Sequence, residues 1–318
     1  MTSFNRQRHT SQRVPFFSVV LNVLLGLVFV VSAVLKIVDM DRFEIYIYSY
    51  HFFSLNFSFL VARAAIILEL VLGLGLVSHC FHKLMWWGSV AMLAGYTLLL
   101  IYALVLGRTD NCHCFGDFLQ FNPWQSIVKN VVLFLLFLLA YRAREWRPRF
   151  RWLGLGLVVV ASSVAVFAVS PPDNFTPSYQ PDHNLQPELF EAALAEPPLD
   201  SLNLSQGRQV LCFYSTGCNY CQMAAQKLSL MQQYYGFPAD NVTYVFMGSE
   251  EGVARFYDES GSAQYRNVLY PDAARLLRII NGSFPTLVFL DNGTVVHEYG
   301  FRNMKEEEIK TFFAPMEQ

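Results

Sequence analysis

The sequence predicts a two-part chain: an all-α transmembrane four-helix bundle plus one anchoring helix, followed by a soluble α/β domain. Three observations carry that expectation. A mean hydropathy of +0.30 with 53% apolar residues is too apolar for one soluble globule of 318 residues. The excess sits in the first half, in five runs close to the ~20 residues a helix needs to cross a bilayer. The second half instead alternates short β-type runs with amphipathic stretches. The expected boundaries are a tail at 1–15, the bundle at 16–141, an arginine-rich loop with the fifth helix at 142–170, a proline-rich linker at 171–207 and the α/β domain at 208–318.

The five runs fall at 16–38, 59–78, 84–106, 124–141 and 152–170. The first is too long for a cleavable signal peptide and lacks a small-residue cleavage site. Run two carries Glu69 and run four carries Lys129, while Lys36 lies near the end of run one. Arg6, Arg8 and Arg13 precede run one, and Arg142, Arg144, Arg147, Arg149 and Arg151 crowd the loop between runs four and five. Basic loops stay inside. An inside N-terminus with five crossings places the soluble domain outside the bacterial cytoplasmic membrane, in the periplasm. The loop between runs three and four then faces the same side. That loop holds Cys112 and Cys114, and the soluble domain holds Cys218 and Cys221. Both dithiols therefore share an oxidising compartment. The net charge of −2, with no basic patch outside these loops, gives no sign of a nucleic-acid partner.

Residues 171–207 contain seven of the 14 prolines and read as a semi-rigid extended linker, with one short helix near 188–195. Beyond it, 209–215 is a strand, and Cys218 opens a helix running to about Tyr235. A second strand follows at 242–246, with helices at 250–259 and 272–280. Strands at 286–290 and 294–298 flank Asp291-Asn292-Gly293, a strong hairpin signal. A helix at 306–313 closes the pattern. This order, with Cys-x-x-Cys at a helix start and Pro285 ahead of a hairpin, resembles the thioredoxin fold.

A dithiol at a helix N-terminus has a chemical purpose, because the unpaired N–H groups and helix dipole favour a thiolate. Cys218 is the expected nucleophile and Cys221 the resolving thiol. By the resemblance, Phe284-Pro285-Thr286 is the cis-proline loop that lies across the dithiol. The alternatives are a zinc half-site or an inert disulfide. In thioredoxins the position six residues before the first cysteine is usually a buried acid; here it is Cys212, which reads as core. The proton acceptor for Cys221 is thereby left unidentified. Asn219-Tyr220 brings no positive charge, so no strongly oxidising potential follows from it.

In the first half, Ser32–Asp39, then Glu69-Leu70-Val71-Leu72-Gly73, then Gly107-Arg108 and Cys112-His113-Cys114-Phe115-Gly116 resemble the MauE branch of the DoxX-like four-helix membrane family, over roughly 14–141. That family is linked to methylamine utilisation and disulfide formation in an amine dehydrogenase subunit; the soluble domain here points to more general thiol chemistry. A Cys-x-Cys disulfide closes a small strained ring, which raises its reduction potential. At the outer bilayer face it would be reoxidised by a lipid quinone. The architecture is analogous to vitamin K epoxide reductase-like proteins fused to thioredoxin domains, without their membrane Cys-x-x-Cys. The Cys-His-Cys loop also suits a soft metal such as copper(I); the redox reading ranks first and no metal is expected. Glu69 and Lys36 either handle protons or form a bundle ion pair.

The expectation is a membrane thiol–disulfide oxidoreductase. Electrons would pass from extracytoplasmic cysteine-containing clients to Cys218–Cys221, then to Cys112–Cys114, then to a quinone, with no covalently bound cofactor. One rival is a reductive relay, which needs cysteines reachable from the cytoplasm, where only Cys80 is expected. The other is a non-catalytic metal-binding or maturation factor for a cysteine-rich partner.

Overall fold

The structure, a computed structural model, describes residues 16–107, 122–141, 146, 148–176 and 185–314. Cys112 and Cys114, the 1–15 tail and Arg142, Arg144 and Arg147 lie outside the described residues. The chain divides into two compact units, Met1–Phe43 with Ala62–Ser170, and Glu44–Val61 with Pro171–Gln318.

The first unit is helical: α1 (Phe16–Val38), most of α3 (Leu55–Ser78), α4 (His82–Val105), α5 (Pro123–Ala140) and α6 (Arg151–Val169), with the start of α2 (Met40–Tyr48). The five long helices are each long and apolar enough to cross a membrane. They match the five expected runs to within two residues at each end, except that α3 begins four residues before the expected residue 59. Helices suit hydrocarbon because every backbone group is satisfied within the segment. Where α5 begins, Asn122 and Gln125 form a reciprocal capping box and Pro123 occupies the first turn.

Small and polar residues join these helices, since apolar contact alone gains little in lipid. A Cβ on Gly26 would come within 2.6 Å of the Gly73 carbonyl, and one on Gly73 within 2.8 Å of the Gly26 carbonyl. Only glycine permits that crossing of α1 and α3. Asn22 donates to the Ala140 carbonyl at 2.7 Å, and the Trp86 indole N–H to the Phe137 carbonyl at 2.8 Å. Arg63, a charge in span two that the sequence reading passed over, is buried and donates from Nε to the Ser170 carbonyl at 2.8 Å.

The second unit is built on a five-stranded sheet of β1 (Arg208–Ser215), β2 (Val242–Met247), β3 (Arg266–Leu269), β4 (Thr286–Asp291) and β5 (Thr294–Tyr299). The spatial order is β3-β2-β1-β4-β5, with β1, β2 and β3 parallel and β4 and β5 antiparallel. Side chains alternate across the sheet. Cys212, Tyr214, Tyr244 and Phe246 enter a core with α8 (Asn219–Tyr235), α9 (Glu250–Ser260) and α11 (Glu306–Phe313). Leu211, Phe213, Val245 and Val288 enter a second core with α7 (Pro187–Leu194) and α10 (Ala273–Ile279). Asn292 and Gly293 both take positive φ, 50° and 82°, as the expected hairpin turn requires. The short strand β3, half of it polar and at the sheet edge, gave no readable alternation.

The expected linker at 171–207 is corrected in two places. Leu185, Phe190, Ala193, Leu199 and Leu204 are buried against the sheet, so the second half of that segment is part of the domain. Its prolines obscured an apolar helix face, and Pro187 serves as the first residue of α7. Near its start, Asp173 is 1% exposed and pairs with both Lys227 at 3.1 Å and Arg302 at 2.9 Å. Residues 44–61, expected to belong to the bundle, are also built into this unit. Glu306 accepts the Tyr48 hydroxyl at 2.7 Å, the Tyr235 hydroxyl at 2.7 Å and the Leu55 N–H at 2.6 Å. Tyr234 adds a bond to the Tyr48 carbonyl at 3.0 Å.

Candidate active site: a dithiol at a helix N-terminus

Strand β1 delivers the chain to Cys218 at one end of the sheet. The Cys218 N–H donates to the Ser215 carbonyl at 3.1 Å, and Thr216 is held by the Met247 carbonyl at 3.1 Å. Cys218 is the N-cap of α8, with extended backbone angles, and its sulfur accepts the Cys221 N–H at 3.2 Å. A side-chain acceptor at this position satisfies one of the orphan donors of the first turn. Cys218 is half-buried, whereas Cys221, one turn on, is fully buried. Both are free thiols.

The two sulfurs are electrostatically distinct. Hydrogen bonding from the Cys221 thiol pulls the Cys218 thiol down to about 6, with burial opposing and the N–H groups of Cys221 and Tyr220 assisting. Burial, and then the bond to Cys218, push Cys221 far above the ordinary thiol range. At neutral pH the exposed sulfur is therefore a thiolate and the inner one a protonated thiol, the division of labour that thiol–disulfide exchange needs.

Pro285 is buried, follows a cis Phe284-Pro285 bond and precedes β4. Since Thr286 pairs with Phe213, Pro285 lies at the same end of the sheet as the dithiol. Cys212 is fully buried, and burial raises its thiol well above the ordinary range. It is thus a neutral core group and does not replace a carboxylate. Sequence reasoning missed the surroundings of Tyr220: its ring lies 5.3 Å from that of Phe301, and the Arg302 guanidinium sits 5.6 Å above it. Lys227, on the same helix as the dithiol, is 3.8 Å from the Phe301 ring. Nothing local in the sequence links positions 220, 227 and 301.

In the other unit, Lys36 and Glu69 meet at 2.6 Å with both side chains 3% exposed, and Ser32 accepts from Lys36 at 2.7 Å. A cavity of about 40 Å³ beside them is also lined by Tyr96, Lys129 and Asn130. Among the described residues, no group of three or more His, Cys, Asp or Glu is placed to hold a metal ion.

The family described as methylamine utilisation protein MauE matches residues 14–143. The N-terminal part is MauE-like, as its motifs indicated. A curated relative, Protein TlpB of Flavobacterium psychrophilum, is 25% identical over 294 residues, spanning 76% of this chain and 80% of its own. Two solved structures are similar over 36% of this chain and 84% of theirs. A secreted Mycobacterium tuberculosis disulfide oxidoreductase is 19% identical with a TM-score of 0.28. The thioredoxin domain of a thiol-disulfide oxidoreductase from Bacteroides vulgatus is 15% identical with a TM-score of 0.29. The sheet order, the dithiol at the start of α8 and the cis-proline before β4 make the C-terminal unit thioredoxin-like. The chain is a fusion of the two parts.

Proposed function

We propose that this protein is a membrane-bound thiol–disulfide oxidoreductase of the bacterial cytoplasmic membrane, with its thioredoxin-like unit on the extracytoplasmic side. The observation that carries this reading is the asymmetric dithiol: a half-exposed Cys218 lowered to about 6 beside a buried, protonated Cys221. In its oxidised form the Cys218–Cys221 pair accepts two electrons from a pair of client thiols. A client thiolate attacks Cys218, a mixed disulfide forms, Cys221 is released as a thiol, and the second client thiol displaces Cys218. The client leaves oxidised and the pair is left as a dithiol.

In the second exchange Cys218 attacks the Cys112–Cys114 disulfide and Cys221 resolves it, passing the electron pair to the loop cysteines. Restoring the Cys112–Cys114 disulfide needs a two-electron, two-proton acceptor, which a lipid quinone at the outer bilayer face would supply. Glu69 and Lys36 hold or move protons beside that step, or serve as a structural pair. The arginine-rich loop between spans four and five supports the orientation, by the positive-inside bias.

The test is Cys221→Ser in membranes. Without its resolving thiol, Cys218 should accumulate in a mixed disulfide with a client or with Cys112 or Cys114, identified by mass spectrometry. Cys114→Ser should leave Cys218–Cys221 more reduced than in wild type. An unchanged redox state would sink the oxidative route, and a more oxidised one would favour a reductive relay. A thiol reagent excluded from the cytoplasm should label Cys218 and, once reduced, Cys114, but not Cys80.

A further inference from the structure

The resolving step needs Cys221 as a thiolate, a charge that its burial opposes. Cys221 lies on α8 and shares a core with side chains of β1, β2 and α9. Strands β1 and β2 and helix α8 carry no aspartate or glutamate. On α9, Glu250, Glu251, Asp258 and Glu259 are all exposed. Help for the emerging charge must therefore come from a neutral group.

A cluster of phenols occupies that core. Alternate positions of a strand share a face. Cys212 and Tyr214 thus project together from β1, Cys212 across from Tyr244 and Tyr214 across from Phe246 on β2. Tyr214 is two positions nearer the dithiol. Its ring lies 4.9 Å from that of Tyr244 and 5.4 Å from that of Phe256 on α9. The residue is fully buried, and its hydroxyl makes no hydrogen bond of ordinary length. The neighbouring Cys212 sulfur is at most a weak acceptor for it. Buried hydroxyls are nearly always paired, so one kept without a good partner asks for a reason. Burial first, then Cys212, Tyr244 and Cys221, raise the Tyr214 phenol well above its ordinary range. It can donate a hydrogen bond to a nearby anion but cannot act as a base.

We propose that the Tyr214 hydroxyl donates a hydrogen bond to the Cys221 sulfur as Cys221 attacks the mixed disulfide on Cys218. The Cys221–Cys218 bond forms and the bond from Cys218 to the client sulfur breaks. The Cys221 proton leaves with the client thiol, and Tyr214 keeps its own. This role rests on the thiol–disulfide exchange proposed above and names the group that eases its second half.

The test uses reduced full-length protein carrying Cys80→Ser, Cys112→Ser and Cys114→Ser, mixed with an equimolar amount of dithiobis(nitrobenzoate). One nitrothiobenzoate is released as Cys218 attacks, and a second as Cys221 resolves. In Tyr214→Phe the first phase should keep its rate, which also shows that the domain is folded. The second phase should slow by about ten- to a hundredfold. Its midpoint should move up by about one to two pH units, towards the same maximum rate. Tyr244→Phe removes an equally buried hydroxyl whose neighbours include Cys212 and Tyr265. It should leave the second phase close to the wild-type rate. A wild-type second phase in Tyr214→Phe would overturn the role. So would equal slowing in both variants, or a lower maximum at an unmoved midpoint, because a loosened core would then account for the loss. A wild-type protein that never releases the second nitrothiobenzoate would overturn the exchange itself, and the role with it.

Discussion

Each unit of this protein buries a lysine against a carboxylate, and the two pairs differ in what surrounds them. Lys36–Glu69 lies among transmembrane helices beside a small cavity, with Ser32 as the extra partner. Lys227–Asp173 lies in the α/β unit, where Arg302 shares the carboxylate and the Phe301 carbonyl also accepts from Lys227 at 3.2 Å. The first cluster is a pair with a void next to it. In the second, Lys227 and Asp173 are each 1% exposed, and the one carboxylate answers two cations. A buried pair costs desolvation that only good geometry offsets, so breaking one is far more damaging than removing both partners. The second cluster therefore has the character of a structural lock, and the first leaves room for protonation chemistry.

Asp173→Asn should be the most damaging change, because it strands a nearly fully buried Lys227. A loss of about 3–5 kcal/mol for the α/β unit is expected. Alkylation of the fully buried Cys212 in the reduced full-length protein reads out opening of that unit. Its rate should rise by between roughly a hundredfold and several thousandfold. Lys227→Met should cost less, since Arg302 still answers Asp173. If both variants label at the wild-type rate, the lock does not exist.

Glu69→Gln in the membrane unit should cost about 3 kcal/mol or less, because hydrocarbon-embedded polar contacts measure weaker than their isolation suggests. Lys36→Met with Glu69→Leu should recover most of that stability. The double variant separates the two roles that the cavity leaves open. A folded protein with slow reoxidation of Cys218–Cys221 assigns proton handling to the pair. A folded protein with normal reoxidation makes it structural.

The contrast also explains what could be read from sequence. Glu69 and Lys36 stand out because a charge in an apolar run must find a partner. Asp173 and Lys227 sit in stretches of ordinary polarity, 54 positions apart, and nothing local marks them. Pro285 and Cys218 were legible since their places before a strand and at a helix start follow from hydrophobic alternation. The core face of 185–204 was not, because its prolines suggested an extended chain, and Arg63 hid in a span read as carrying a single charge. The segment 44–61 has no pattern of its own. It gains structure from Glu306, a residue some 250 positions away, and only the folded chain brings them together.

That attachment supplies a smaller test. Tyr48 and Tyr235 both donate to Oε1 of Glu306, while the Leu55 N–H donates to Oε2. Glu306→Gln puts an amide donor or a single shared oxygen where two acceptors are needed. The expected cost is about 2 kcal/mol, the range for hydrogen bonds to a charged group. Proteolysis near 49–54 should accelerate, with Cys212 labelling far less affected than in Asp173→Asn. Equal effects on both sites would mean that 44–61 and the sheet open as one body.

The smallest expected effect concerns the dithiol itself. Arg302 lies over Tyr220, inside the Cys-x-x-Cys motif, so a cation from the structural cluster could be credited with stabilising the Cys218 thiolate. The causes of the lowered value point elsewhere, first to the Cys221 thiol and then to backbone N–H groups. Cys218 is a thiol below its midpoint of about 6 and a reactive thiolate above it. Its alkylation rate in the reduced protein should climb about tenfold per pH unit below that midpoint and level off above it. Cys221→Ala removes the principal donor and should move the curve to higher pH. Arg302→Gln should leave the midpoint near 6, shifted upward by less than about half a unit, because Asp173 already balances part of that charge and solvent reaches the guanidinium. A shift on Arg302→Gln as large as that on Cys221→Ala would join the lock to the redox site, and the division between a structural cluster and a self-contained dithiol would fail.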